Sequence, residues 1–195
     1  TSWLQAYASQ RKSADETVKA FQRFYQPGEQ PLHTYSDNSK EIKLACETLK
    51  FSHDTSTPHR SETNGIAERA IRRVKEGTAC TLTQSGFTDH WWAKAMTAFC
   101  FMRCVVDKLD SGQTAYYQRF GEDYLGPTIP FGALVEYTPT TVKDKKRLHP
   151  MGKRTLPGIF VEYKQHAGGK WGNSSIGIID CEELNDAETC ISVQV

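Results

Sequence analysis

The chain has 195 residues, 38% hydrophobic and 24% charged, with a formal net charge of +1. That balance excludes a disordered chain, and no apolar run approaches the roughly twenty residues of a membrane span. The small net charge hides segregated blocks. Residues 143–154 carry six Lys or Arg against one Asp, residues 180–188 carry five carboxylates and no base, and residues 60–75 carry five bases against two Glu. Fields act locally, so such blocks matter more for partners than the total does.

Thr1-Ser-Trp-Leu-Gln5 has no initiator Met and no basic-then-apolar leader. Trp3 to Ala8 reads as a short aromatic-rich strand, met in its middle, so the chain is expected to start inside a larger gene product. Ser13-Ala-Asp-Glu16 is a capping box, and Val18, Phe21, Phe24 and Tyr25 continue it as a helix up to Pro27-Gly28. Leu32 to Ser36 predicts a strand ending in Asp37-Asn38. A helix over Lys40 to Leu49 and a strand over Phe51 to Thr55 follow, then a polar loop over Thr57 to Thr63 containing Pro58.

Residues Asn64 to Gln84 predict one long helix whose inner stripe is Ala67, Ala70, Ile71, Val74 and Thr78. Trp91 to Leu109 predicts a second long helix, interrupted in its apolar character by Lys94 and Arg103, with aromatics and two cysteines inward. Thr114 to Phe120 predicts a short third one. Past Gly126-Pro127 the pattern changes to Gly and Pro punctuation with β-like runs at Leu134 to Tyr137, Gly158 to Tyr163 and Ile176 to Ile179. Two units are expected, 1–125 as α/β and 126–195 as a small β-rich unit. Cys46, Cys80, Cys100, Cys104, Cys181 and Cys190 form no C-x-x-C pair, so buried reduced thiols are expected rather than zinc ligands.

Two carboxylates are placed for chemistry. Asp37 ends a strand, and Glu68 lies in the first turn of the long helix. A carboxylate at a strand's carboxyl end and another on a helix are a common way to hold Mg²⁺, which takes one or two carboxylates and completes its shell with water and phosphate. Glu68, Arg72 and Lys75 stand at i, i+4 and i+7 and share one helix face, where the bases can hold a nucleic-acid backbone. The same residues also fit blander roles: Asp37-Asn38 as an Asx turn or cap, and Glu68 with Arg72 as an ordinary surface pair.

The stretches Tyr35-Ser-Asp-Asn-Ser-Lys-Glu-Ile42 and Thr57-Pro-His-Arg-Ser-Glu-Thr-Asn-Gly-Ile-Ala-Glu-Arg69 resemble the second half of a copia-type retroelement integrase core. Trp91-Trp-Ala-Lys-Ala95 resembles that family's Phe-Trp-Ala-Glu-Ala helix. Thr114 to Phe120 resembles its Thr-Pro-Tyr-Glu segment. Phe131-Gly132 and Gly158-Ile-Phe-Val-Glu-Tyr163 resemble the landmarks of its small β unit.

The resemblance implies a ribonuclease-H-like α/β core missing its first strands, followed by a small β-barrel-like unit. It implies an Asp, Asp, Glu triad that binds Mg²⁺ or Mn²⁺, with 3′-end processing and strand transfer performed by the full-length polyprotein. Asp37 matches the second Asp and Glu68 the Glu, as catalytic and metal-binding residues. Asn64, Arg69, Arg72 and Lys75 match the start and DNA-facing side of the helix, and Lys145, Lys146 and Arg147 are further candidate DNA contacts. Ser39 and Glu162 stand where the family has Gly. The first Asp has no match here, and Asp15 belongs to a helix's first turn, so the isolated chain is expected to be inactive.

Implied partners are element-end and target DNA, flanking polyprotein domains and further copies of the full-length chain, with no membrane. The implied location is intracellular, nuclear when acting on chromosomal DNA. The competing reading is a degenerate or co-opted DNA-binding and assembly module without catalysis. A simple ribonuclease-H-like nuclease is disfavoured by the β unit and the basic helix face.

Overall fold

The computed structural model describes residues 2–56 and 65–186. Asn64, the loop before it and Cys190 lie outside the described residues.

Ser13 opens α1 (Ala14–Phe24), its hydroxyl accepting from the Glu16 N–H at 3.3 Å, which satisfies a donor the first turn leaves orphaned. Glu16 does not close the box. Its carboxylate accepts from Lys19 at 2.6 Å instead. β1 (Thr34–Ser36) and β2 (His53–Thr55) pair in parallel, and α2 (Lys40–Leu49) is the crossover such a pair requires. Ser39 caps α2, accepting from the Ile42 N–H at 3.4 Å. The first strand begins two residues later than the sequence suggests, and Leu32 projects almost fully into solvent.

The strand expected over residues 3–8 does not form. Its backbone joins no ladder among the described strands, although the Gln5 side chain donates to Gln165 Oε1 at 3.1 Å. Its anchor is Trp3, buried edge-on to Phe120 at 5.2 Å and tilted against Tyr116 at 6.1 Å. The Leu4 N–H is donated to Cys104 Sγ at 3.4 Å.

α3 (Gly65–Ser85) packs along α4 (Trp92–Val106). Gly77 makes their close approach possible, because a Cβ there would lie 2.0 Å from Phe99 Cζ. Of the expected inner stripe, Thr78 is buried but Ile71 is 54% exposed. With α4 as the main described neighbour, α3 covers a narrower stripe than its periodicity suggests. A 3₁₀ turn over Asp89–Trp91 precedes α4, so the second long helix begins at Trp92 and stops at Val106, short of Leu109. Beyond it Lys108 bridges Thr114, which caps α5 (Ala115–Phe120).

β3 (Leu134–Tyr137), β4 (Leu156–Gln165) and β5 (Trp171–Asp180) form an antiparallel meander. Two short helices that the sequence pattern did not reveal flank it: α6 (Val142–Lys145) and α7 (Cys181–Asp186). A bulge between Phe160 and Glu162 shifts the alternation of β4. Phe160 and Tyr163 therefore enter the same cluster, with Trp3, Phe101, Cys104 and Tyr116. Val161 joins Trp91, Ala95, Ala98, Phe131 and Ile179 in a second one. α4 contributes to both, so a shared core joins the residues on either side of the expected division near 125.

One side chain fastens the α1 end of the molecule to this core. Arg119 is 10% exposed. It donates from Nε to the Gly168 carbonyl at 3.0 Å, and from Nη2 to the Phe24 carbonyl at 2.8 Å and the Glu29 carboxylate at 3.0 Å. The rings of Trp3, Phe24 and Phe120 lie within cation–π range around it. The Gly168 N–H closes the contact on the Arg23 carbonyl at 2.8 Å. Gly168 and Gly169 have φ of +87° and +84°, and a Cβ on either would collide with Gln26 or with Gln5 and Trp3.

Candidate nucleic-acid interface

Asp37 follows β1 and is exposed. Its Oδ1 accepts from the Ser39 N–H at 3.2 Å, an Asx turn that leads into α2. Glu68 is exposed in the first turn of α3. Among the described residues no hydrogen bond or ion pair joins Asp37 to Glu68, and none ties Glu68 to Arg72. Both carboxylates are free of cationic partners there. No group of three or more His, Cys, Asp or Glu able to hold a metal ion occurs among the described residues.

Arg69, Arg72 and Lys75 are exposed along α3, with Arg73 beside them. None forms an ion pair among the described residues, so this helix offers a run of uncompensated cations beside the Glu68 carboxylate. Apolar packing against α4 explains why the run faces outward: Thr78, Gly77 and Val74 take the covered side.

The second basic run behaves differently. Arg147 donates from Nη1 to Asp180 at 3.0 Å and to Asp144 at 3.4 Å, and pairs through Nη2 with Glu182 at 2.9 Å. Lys143 pairs with Glu183 at 3.7 Å and Lys153 with Glu136 at 2.7 Å. Lys145, Lys146 and Arg154 stay exposed without an ion pair among the described residues. The +5 and −5 blocks of the sequence thus meet in space.

Asp180 is the centre of that meeting. It is buried, and burial pushes its carboxyl up. The hydrogen bonds from Arg147, from the Tyr137 hydroxyl at 2.7 Å and from the backbone N–H groups of Glu182 and Glu183 outweigh burial, and the net direction is down. Opposite blocks of equal size were the only advance signal of this contact, and chain distance alone did not show that they meet.

Glu162 is also accounted for by geometry. Its carboxylate forms an ion pair with Lys94 of α4 and a second with Lys164 at 3.4 Å, and it is only 16% exposed. Glu162, one of the positions that depart from the resembling motifs, therefore meets Lys94 as a charge pair that ties α4 to β4.

Burial pushes the Cys100 thiol up to about 12 and the Cys104 thiol up to about 11, so both stay protonated at neutral pH and are poor ligands. With Cys46 they match the expectation of buried thiols, but Cys80 is exposed on α3 and Cys181 is half-buried.

No helix among the described residues is long and apolar enough to cross a membrane. No protein-family model matches the chain. It is similar to the Retrovirus-related Pol polyprotein from transposon TNT 1-94 of Nicotiana tabacum, 25% identical over 101 residues. That match covers 47% of this chain and 8% of the relative, so the chain spans a small part of the relative's length. Among solved structures it is similar to a chain of the simian T-cell lymphotropic virus intasome in complex with PP2A regulatory subunit B56 gamma. There the identity is 16% and the TM-score 0.45, covering 82% of this chain and 58% of that one. It is also similar to the catalytic core domain of BIV integrase, at 22% identity and a TM-score of 0.41, covering 56% of this chain and 72% of that one.

Proposed function

We propose that this chain is a nucleic-acid-binding part of a retrotransposon integrase, with a ribonuclease-H-like core up to about residue 125 and a β-rich unit after it. The observation that carries the reading is the exposed face of α3, where Glu68 is followed by Arg72 and Lys75 with no ion pair among the described residues to neutralise them. The likeness to a transposon Pol polyprotein supports it. So does the parallel β1–α2–β2 unit, which carries Asp37 at the end of its first strand.

In this reading Arg69, Arg72 and Lys75 hold the phosphate backbone and Lys145 and Lys146 extend the contact. Asp37 and Glu68 are exposed oxygen donors without cationic partners among the described residues, a chemistry that fits Mg²⁺ or Mn²⁺. When bound, the metal would neutralise charge developing on a phosphodiester under attack. The chain's own residues supply the carboxylates and the cations that orient DNA beside them. Full 3′-end processing and strand transfer, assembly with further copies and action on chromosomal DNA in the nucleus belong to the longer polyprotein.

A second reading, a co-opted binding and assembly module, is favoured by the Asx turn that already occupies Asp37 and by Ser39 and Glu162 in place of Gly. Both readings need DNA binding through α3, and one experiment tests it. Duplex DNA binding is titrated at several salt concentrations for the chain and for its R72E/K75E variant. Loss of two phosphate contacts flattens the slope of log affinity against log salt by about 2, at roughly 0.9 per contact. An unchanged slope overturns the assignment.

A further inference from the structure

The meeting of the two charge blocks has a functional reading that rests on the proposed nucleic-acid contact. Asp180 is shared between two tasks. Its Oδ1 accepts the Glu182 N–H at 2.9 Å and the Glu183 N–H at 3.3 Å, which starts α7. Its Oδ2 accepts from Arg147 at 3.0 Å and from Tyr137 at 2.7 Å. One carboxylate therefore fixes both the acidic helix and the basic loop, and it aims Glu182 and Glu183 at Arg147 and Lys143.

We infer that α7 is an electrostatic cover on the Lys143 to Arg154 run, which occupies part of that surface until nucleic acid displaces it. The cover is removable by construction. Glu182 and Lys143 are largely solvent-exposed, and exposed ion pairs are weak and screened by salt. Arg147 Nε is buried with no hydrogen-bond partner among the described residues, so the closed arrangement carries a desolvation penalty that opening relieves. Lys145, Lys146 and Arg154 are exposed without an ion pair among the described residues and provide the first contact from which a phosphate backbone displaces the carboxylates.

The test uses the full chain and a fluorescent 20-base-pair duplex, with anisotropy read across a salt series. An E182Q/E183Q variant frees Lys143 and removes one of the three carboxylates around Arg147, which keeps Asp180 and Asp144. It is expected to tighten binding roughly threefold at low salt and to steepen the salt slope by about 1. A D110N/D123N variant changes the net charge equally at exposed carboxylates without ion pairs among the described residues. It is expected to tighten binding much less. K145E/K146E reports whether the run touches DNA at all. If K145E/K146E weakens binding while E182Q/E183Q leaves it unchanged, or if D110N/D123N tightens it equally, the cover is overturned and the nucleic-acid contact stands. If K145E/K146E has no effect, the contact at this run is overturned and the cover with it. Thermal melts of each variant check that the fold is preserved.

Discussion

Replacing Arg119 with Ala should separate the α1 end from the rest of the molecule. The guanidinium makes hydrogen bonds to two carbonyls and one carboxylate at 2.8–3.0 Å and is 10% exposed. Hydrogen bonds to charged groups contribute about 1.5–3 kcal/mol each. The three share one planar group, and part of their loss is regained when water reaches Phe24 and Glu29. The expected destabilisation is therefore about 3–5 kcal/mol, below the simple sum of the three bonds and carried mainly by the two carbonyl contacts of the buried guanidinium. Against a typical folding free energy of about 5–15 kcal/mol this is a large fraction.

Urea unfolding followed by far-UV circular dichroism and tryptophan fluorescence reads it out, since Trp3 loses its ring contacts at the same time. With a urea m-value of about 2 kcal/mol/M, the midpoint should fall by about 1.5–2.5 M. Arg119→Lys should recover less than half, because a point-charge ammonium cannot fork between two carbonyls and a carboxylate. Glu29→Gln should lose no more than about 1 kcal/mol, since Glu29 is half-exposed. A loss below about 1 kcal/mol for Arg119→Ala, with an unchanged m-value, would refute the claim that this side chain joins the two ends.

Two further outcomes follow from the core and the charge network. Phe160 is fully buried within the Trp3 and Phe101 cluster, and Phe160→Ala should destabilise by about 3–5 kcal/mol in thermal or urea melts. Asp180 has its folded pKa depressed relative to the unfolded chain. Its contribution to stability is thus fully present above the ordinary carboxylate pKa and is lost as pH falls through the depressed folded value. Asp180→Asn should lower stability at neutral pH and flatten the acid limb of a stability-against-pH curve. An identical acid limb in the variant would show that Asp180 has no such role.

Much of the architecture follows from local pattern. The Ser13 and Ser39 caps, the apolar spacing of α1, α2 and α4, and the β-branched and aromatic runs of β3 to β5 depend on neighbours within a few residues. α1, α2, β3 and β4 appear within a residue or two of where they are expected, while α4 ends three residues early and β5 begins five residues early. The candidate carboxylates were legible for the same reason, as a polar residue ending a strand and another in the first turn of a helix.

What only the tertiary structure decided depends on groups far apart in the chain. Residues 3–8 have strand propensity, but a strand needs a partner, and burial of Trp3 against α5 took precedence. Ile71 sits at an inward position by periodicity, but packing against α4 leaves it outside. Arg147 reads as one cation in a basic run, and folding places three carboxylates around it. Lys94 and Glu162, 68 residues apart, become an ion pair between α4 and β4. Periodicity determines which face of a segment is apolar. Which surface covers that face, and which charges remain free for a partner, is set by contacts that chain distance does not encode.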